Sequence, residues 1–314
     1  MEKIILGLCK EEVPVKKICF DLNIDIKRFY EYINRLQRSG TNFFQHINND
    51  GEIVLCLSKV CGDEDPIILK VNNGEFVFGV SADYHVGSAY SNMPNIYMMQ
   101  NFFSANSIET HAFLGDLIDG FPKHFSNIPG REESLEKQIE DAVKYFPYVH
   151  GPNIYVPGDH DTRYKTNDGY SILKALKSLR KDLKIYSSGL GVLNINGVEF
   201  ALCHDVNNPH VNKEAFDNRF VISAHSHESR TKNTLPLTQL PRFVISPLCD
   251  LATVNHRVPG FYVFRLEFDG LVLKTMYAEF YAFYNNQIMS AGTQEFFFQK
   301  DIASAPTRKQ KGKK

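Results

Sequence analysis

Five short apolar runs in this 314-residue chain each stop abruptly on aspartate or histidine. "FVFGVSADYH" ends in Asp83 and His85, and "AFLGDLID" in Asp116 and Asp119. "NIYVPGDHD" ends in Asp159, His160 and Asp161, "FALCHD" in His204 and Asp205, and "FVISAHSH" in His225 and His227. Short runs rich in Val, Ile and Phe between turn signals predict buried strands, and helical patterns at 134–149 and 171–179 fall among them. Strands alternate with helices early, and strand-rich segments follow late. The pattern predicts an α/β domain whose sheets are sandwiched by helices. In such sheets ligands bind at the carboxyl edge of the strands. One Asp-His-Asp is ordinarily a polar surface loop; five successive runs with the same ending call for a common cause.

Carboxylates and imidazoles without thiolates suit divalent cations of the manganese, iron and zinc class. If Asp83-Tyr84-His85 is extended, its first and third side chains point the same way and reach one ion, and His225-Ser226-His227 repeats that spacing. Asp116 has two oxygens with which to bridge two ions. Two ions roughly 3.5–4 Å apart clamp the entering and leaving oxygens of an in-line phosphoryl displacement. A bound water, acidified to a pKa of about 7–9, supplies the nucleophile.

The composition excludes several alternatives. The formal net charge is -1, so no bulk charge favours nucleic acid or membrane. No stretch approaches the roughly 20 apolar residues that span a bilayer. The six cysteines, Cys9, Cys19, Cys56, Cys61, Cys203 and Cys249, form no Cys-x-x-Cys pair. Free thiols in a reducing, cytoplasmic setting are the simplest expectation. The terminal "TRKQKGKK" has no apolar residue and is expected to be disordered, so residues 299–314 are read as a basic tail.

The first 62 residues have a different pattern. Val15, Ile18, Cys19 and Leu22 fall at helical spacing, and so do Ile26, Phe29, Tyr30, Ile33 and Leu36, with Asp25 as N-cap and Ser39-Gly40 as stop. Alternating apolar residues then flank Asn49-Asp50-Gly51, a hairpin signal. Helix, helix, hairpin resembles a winged helix-turn-helix. Lys27, Arg28, Arg35 and Arg38 suit phosphate contacts. Basic residues do not outnumber acidic ones over 1–75, so protein interaction stands beside DNA docking. Residues 63–74 read as a linker into a second domain at 75–298.

The ordered set Asp83-Tyr84-His85, Gly115-Asp116-Leu117-Ile118-Asp119, Gly158-Asp159-His160-Asp161, His204 and Ala224-His225-Ser226-His227 resembles the calcineurin-like metallophosphoesterase superfamily over about residues 75 to 280. The resemblance implies a β-sandwich flanked by helices (αββα). It also implies two divalent ions, manganese first, with iron, zinc, nickel or magnesium as alternatives. Asp83, His85, Asp116 and His227 would hold the first ion, and Asp116, Asp159, His204 and His225 the second. His160 would be the general acid or oxyanion stabiliser, and Asp119 would orient its ring and raise its pKa. Asp159 stands where the family has asparagine, which implies tighter metal binding and weaker phosphate binding. Ala224 replaces a glycine, tolerable if its φ is negative. Arg163 is within sequence reach of a substrate phosphate, although a structural ion pair is an equal expectation.

The resemblance fixes the reaction type and leaves the substrate open. A DNA-directed phosphodiesterase, akin to the superfamily's repair nucleases, which often pair as homodimers, is favoured by the helix-helix-hairpin segment and the basic tail. A small-molecule phosphatase or nucleotide phosphodiesterase is the second reading. A degenerate, non-catalytic scaffold is the third, with Asp159 as its first sign of decay.

Overall fold

The computed structural model describes residues 4–5, 8, 13–38, 43–47, 52–57, 65–71, 74–120, 134–164, 169–187, 189–208, 211, 213–216, 219–227, 230–232, 240–250 and 258–298. Helices α1 (Val15–Asp21) and α2 (Ile26–Arg38) precede an antiparallel hairpin of β1 (Phe43–Ile47) and β2 (Ile53–Leu57). Asp25 caps α2 as expected, its Oδ1 accepting the Arg28 N–H at 2.7 Å. Ile5, Val15, Ile18, Phe29 and Ile33 form a small core of their own. Ser39-Gly40, the turn at 49–51 and the basic tail at 299–314 lie outside the described residues.

The remaining strands are β3 (Ile67–Leu69), β4 (Gly74–Ser81), β5 (Thr110–Phe113), β6 (Asn153–Tyr155), β7 (Leu183–Ile185), β8 (Leu190–Ile195), β9 (Val198–Cys203), β10 (Phe220–Ser223), β11 (Arg230–Lys232), β12 (Arg242–Val244), β13 (Gly260–Asp269), β14 (Val272–Tyr284) and β15 (Gln287–Phe297). Among the described residues they form two sheets, ordered β15-β14-β13-β4-β5-β6-β7 and β11-β12-β10-β9-β8-β3. Strands β4 to β7 run parallel, as do β9, β10 and β12. The remaining helices are α3 (Met93–Ala105), α4 (Leu135–Tyr145), α5 (Asp159–Arg163) and α6 (Ile172–Leu179).

Alternation along the strands builds two apolar layers. Phe78, Val80, Ala112 and Ile154 from one sheet meet Leu193, Phe200, Ile222 and Phe243 from the other, which makes a sandwich. The opposite faces of the same strands, Phe113, Tyr155 and Val263, pack on Met99, Phe103, Ile139 and Leu176 of α3, α4 and α6. A strand buried on both faces reads as an unbroken apolar run, which explains the pattern in the sequence. The outer face of the second sheet is different. Its Ala201, Cys203 and Val221 pack on Val211, Ala215 and Phe216, in and beside a short 3-10 turn at Lys213–Phe216, where a flanking helix was expected. Within the stretch expected to be a linker, Ile67–Leu69 pair in parallel with Leu193–Ile195 and add the strand β3 to the second sheet. Three residues with one exposed side chain are too short a run to stand out by periodicity.

Candidate metal centre

Each run ending falls where a strand delivers its chain to the same edge of the sandwich. Asp83 and His85 follow β4, Asp116 and Asp119 follow β5, and Asp159 and His160 open α5 just after β6. His204 follows β9, and His225 and His227 follow β10, in the other sheet. The sheets are stitched together here: His204 Nδ1 donates to the Leu114 carbonyl at 2.6 Å. Because a carbonyl only accepts, this bond fixes the tautomer and leaves the His204 Nε2 lone pair facing inward.

All seven residues expected to hold metal converge. Asp116, Asp159, His204 and His225 form one group, and Asp83, His85 and His227 another, with candidate donor atoms of each group lying within 4.8 Å of one another. In the first, His204 Nε2 lies 3.1 Å from Asp116 Oδ2 and 3.5 Å from Asp159 Oδ1, and His225 Nδ1 lies 3.3 Å from Asp159 Oδ1. In the second, Asp83 Oδ1 lies 3.5 Å from His227 Nε2 and 3.9 Å from His85 Nε2. Asp116 Oδ2 is also 3.8 Å from His85 Nε2, so this single oxygen joins the two groups. The other oxygen, Asp116 Oδ1, accepts the His160 backbone N–H at 2.9 Å.

The residues fit divalent cations. Both oxygens of Asp83, Nε2 of His85 and Oδ1 of Asp159 are buried without a hydrogen-bond partner among the described residues. Such atoms are costly unless something binds them. The charges agree. Burial alone would lower the pKa of His85, but Asp119, Asp116 and Asp83 outweigh it and hold the ring at about 9. His204 is likewise driven down by burial and, on balance, held well above its ordinary value by Asp116 and Asp159. Burial pushes Asp116 and Asp159 up, yet the surrounding imidazoles keep both below the usual carboxylate range. The pocket demands positive charge, and divalent ions satisfy that demand with the imidazoles neutral.

The backbone reason for this convergence differs from the one expected. Asp83-Tyr84-His85 is not an extended segment, and neither is 225–227. Asp83, His85, Asp116, His225 and His227 all have left-handed backbone, with φ of 53°, 45°, 57°, 67° and 52°. Non-glycine residues seldom adopt this conformation, and it costs of order 1–3 kcal/mol where the surroundings must impose it. At Asp83, His85 and Asp116 hydrogen bonds between the two loops hold it: Asp83 N–H to Gly115 O at 2.9 Å, His85 N–H to Asp116 O at 3.0 Å and Val86 N–H to Leu117 O at 2.8 Å. Ala224 lies outside the left-handed region, so the missing glycine costs nothing there.

His160 Nδ1 donates to the backbone carbonyl of Asp119 at 2.6 Å, so the main chain and not the carboxylate orients that ring. The Asp119 carboxylate faces His85, with Oδ1 3.4 Å from Nδ1. Asp119, His85 and His160 also sit together within ligand distance of one another. Arg163 forms the ion pair that was one of its two expected roles, its NH2 group 2.8 Å from Asp159 Oδ2.

The sequence reading assigned nothing to Asp161. Its fully buried carboxylate accepts the N–H groups of Asp116 at 2.8 Å, Leu117 at 2.9 Å, Ile118 at 3.3 Å and Gly158 at 3.0 Å. Burial and the nearby Asp116 charge raise its pKa, and the Gly158 N–H opposes them. Asp161 thereby pins the loop after β5 to the turn before α5. A Cβ on Gly158 would come within 2.1 Å of Asp116 Oδ1, so only glycine allows the two loops to approach this closely. The sequence signal for Asp161 was its own position, an acid three residues into a helix that opens with glycine.

No family model matches the chain, and no curated protein matches it either. Among solved structures it is similar to a single mutant of Vps29 from Entamoeba histolytica, at 15% identity and a TM-score of 0.39, over 71% of this chain and 99% of that one.

Proposed function

We propose that the chain is a dinuclear-metal phosphoesterase of the calcineurin-like metallophosphoesterase superfamily, hydrolysing phosphodiester bonds, with DNA as its substrate. One observation carries the reading: the seven acids and imidazoles form two groups joined through Asp116 Oδ2, with buried atoms that lack protein partners. Asp83, His85, Asp116 and His227 would hold one ion, and Asp116, Asp159, His204 and His225 the other. Two such ions supply Lewis acidity for the phosphoryl oxygens and for activating water.

The chain's own groups do the rest. Asp83, His85, Asp116 and His204 are buried, whereas Asp159, His225 and Arg163 reach solvent, so the phosphate enters on the latter side. Asp119 faces His85 Nδ1 and favours the tautomer that leaves Nε2 available to a cation. Because His160 Nδ1–H is tied to the Asp119 carbonyl, Nε2 is the nitrogen that gives a proton to the leaving oxygen. The α1–α2–hairpin segment favours a polymeric substrate over a small ester, with Lys27, Arg28 and Arg35 exposed on α2.

The test is manganese-dependent cleavage of labelled single- and double-stranded oligonucleotides by wild type and His160→Ala. Wild-type cleavage is expected, with His160→Ala slower by roughly 100-fold or more while manganese uptake is unchanged. A wild-type protein that cleaves bis-aryl phosphate but no oligonucleotide would favour the small-ester reading. No cleavage of any ester by manganese-loaded protein would sink the enzymatic reading.

A further inference from the structure

Asp159 divides its two oxygens between different tasks. Oδ1 points inward, 3.5 Å from His204 Nε2 and 3.3 Å from His225 Nδ1, and has no hydrogen-bond partner among the described residues. Oδ2 points outward and accepts from the Arg163 guanidinium at 2.8 Å. The two residues begin and end the one-turn helix α5, four positions apart on the same face. With side chains 33% and 57% exposed, a pair of this kind adds little to stability. Its effect on the site is larger, because a carboxylate with one oxygen engaged offers a cation only the other.

We propose that Asp159 and Arg163 work as a unit at the rim of the metal centre: Arg163 restricts Asp159 to a single-oxygen metal ligand and brings a guanidinium to the point where the substrate phosphate meets the second ion. This deepens the phosphoesterase reading and rests on it. Three liganding carboxylates facing two divalent cations leave one net positive charge, and Arg163 adds another on the solvent side, where the anion arrives. Its planar fork can keep one N–H on Asp159 Oδ2 while presenting others to a phosphate oxygen. Arg163 is thus a positioning residue toward the metal and a specificity residue toward the anion.

The experiment is a double-mutant cycle on the full-length chain with Arg163→Met, Asp159→Asn and the pair. Calorimetry measures manganese binding first, and then inorganic phosphate binding to the manganese-loaded protein. Arg163→Met is expected to weaken phosphate about tenfold in the wild-type background and threefold or less beside Asp159→Asn, since an unpaired guanidinium is no longer held over the second ion. Manganese affinity should be unchanged or up to severalfold tighter in Arg163→Met, because Asp159 regains its second oxygen. Thermal midpoints should not move, which separates this role from a structural one. Two bound manganese ions with phosphate affinity indifferent to Arg163→Met, or equally weakened in both backgrounds, would overturn this proposal alone. A wild-type protein that takes up no manganese would overturn the metal reading and this proposal together.

Discussion

His204 Nε2 and Asp116 Oδ2 stand 3.1 Å apart, although one residue follows β9 and the other β5, strands of different sheets. The Nδ1–H bond to Leu114 turns His204 Nε2 toward this carboxylate, where either a proton on Nε2 or a cation between the two atoms satisfies both. Asp116 is also the atom-level link to His85. Asp116→Asn keeps the shape, removes the charge and leaves an amide in its place. Manganese binding should weaken at both positions, and phosphodiester hydrolysis should fall by at least about 100-fold. Calorimetric stoichiometry beside turnover checks this, and two tight ions retained in the variant would contradict it.

The run endings made the site legible in the sequence, because a buried strand that stops on a polar group reports both the sheet and its edge. Every one of the seven candidate ligands lies in the cluster for that reason. What was not legible was how the ligands are aimed. Left-handed backbone occurs at Asp83, His85, Asp116, His225 and His227; around the first three, hydrogen bonds between the two loops hold it, and no local propensity announces it. At Asp119 the group that hydrogen-bonds His160 is the main-chain carbonyl, which every residue type possesses and no side chain announces. The strand β3 was hidden because its pairing partner, β8, is remote in sequence. The helices α4 and α6 were legible from their helical patterning, and the structure adds the serine caps Ser134 and Ser171 at their starts.

The separate core around Val15, Ile18, Phe29 and Ile33 makes the N-terminal segment removable in principle, provided the cut spares β3. Deleting residues 1–62 should reduce oligonucleotide cleavage by roughly tenfold while hydrolysis of a bis-aryl phosphate stays within about twofold, since lost phosphate contacts act only on a polymer. The same comparison across salt concentrations should show a shallower salt dependence for the deletion. Equal losses on both substrates would remove the docking role from this segment.

Asp161 offers a test of the scaffold apart from the metals. Its Oδ1 and Oδ2 each accept two backbone N–H groups, so neither oxygen is spare. Asp161→Asn would turn an amide NH2 toward two of those donors. The buried mismatch should cost about 2–3 kcal/mol of unfolding free energy. The loop that it releases carries Asp116 at a φ of 57°, so manganese affinity should fall as well although Asp161 touches no candidate ligand atom. Urea denaturation with and without manganese measures both, and a variant as stable as wild type would show that the four bonds contribute little.

The last prediction concerns His111, which is buried beneath the site and outside both metal groups. Tyr84 and Ser81 hydroxyls lie 2.8 Å apart, and Ser81 Oγ lies 2.8 Å from His111 Nε2. On the other side, His111 Nδ1 lies 3.1 Å from Asn153 Oδ1, while the Asn153 amide donates to the Pro147 carbonyl and to Asp182. This arrangement suits a neutral ring that donates at Nδ1 and accepts at Nε2. Burial lowers its pKa most, helped by the Arg180 charge and opposed by the Asn153 hydrogen bond, to about 4 from an ordinary 6.5. With a folded pKa below the unfolded one, the unfolded chain binds the proton more readily. The contribution of His111 to stability is therefore complete above pH 6.5 and lost as pH falls toward 4, about 3 kcal/mol in all. Urea denaturation of metal-free wild type and His111→Gln from pH 7.5 to 4 isolates it. Wild type should lose its advantage over the variant across that window. A constant difference between the two curves would mean that the buried ring does not titrate there.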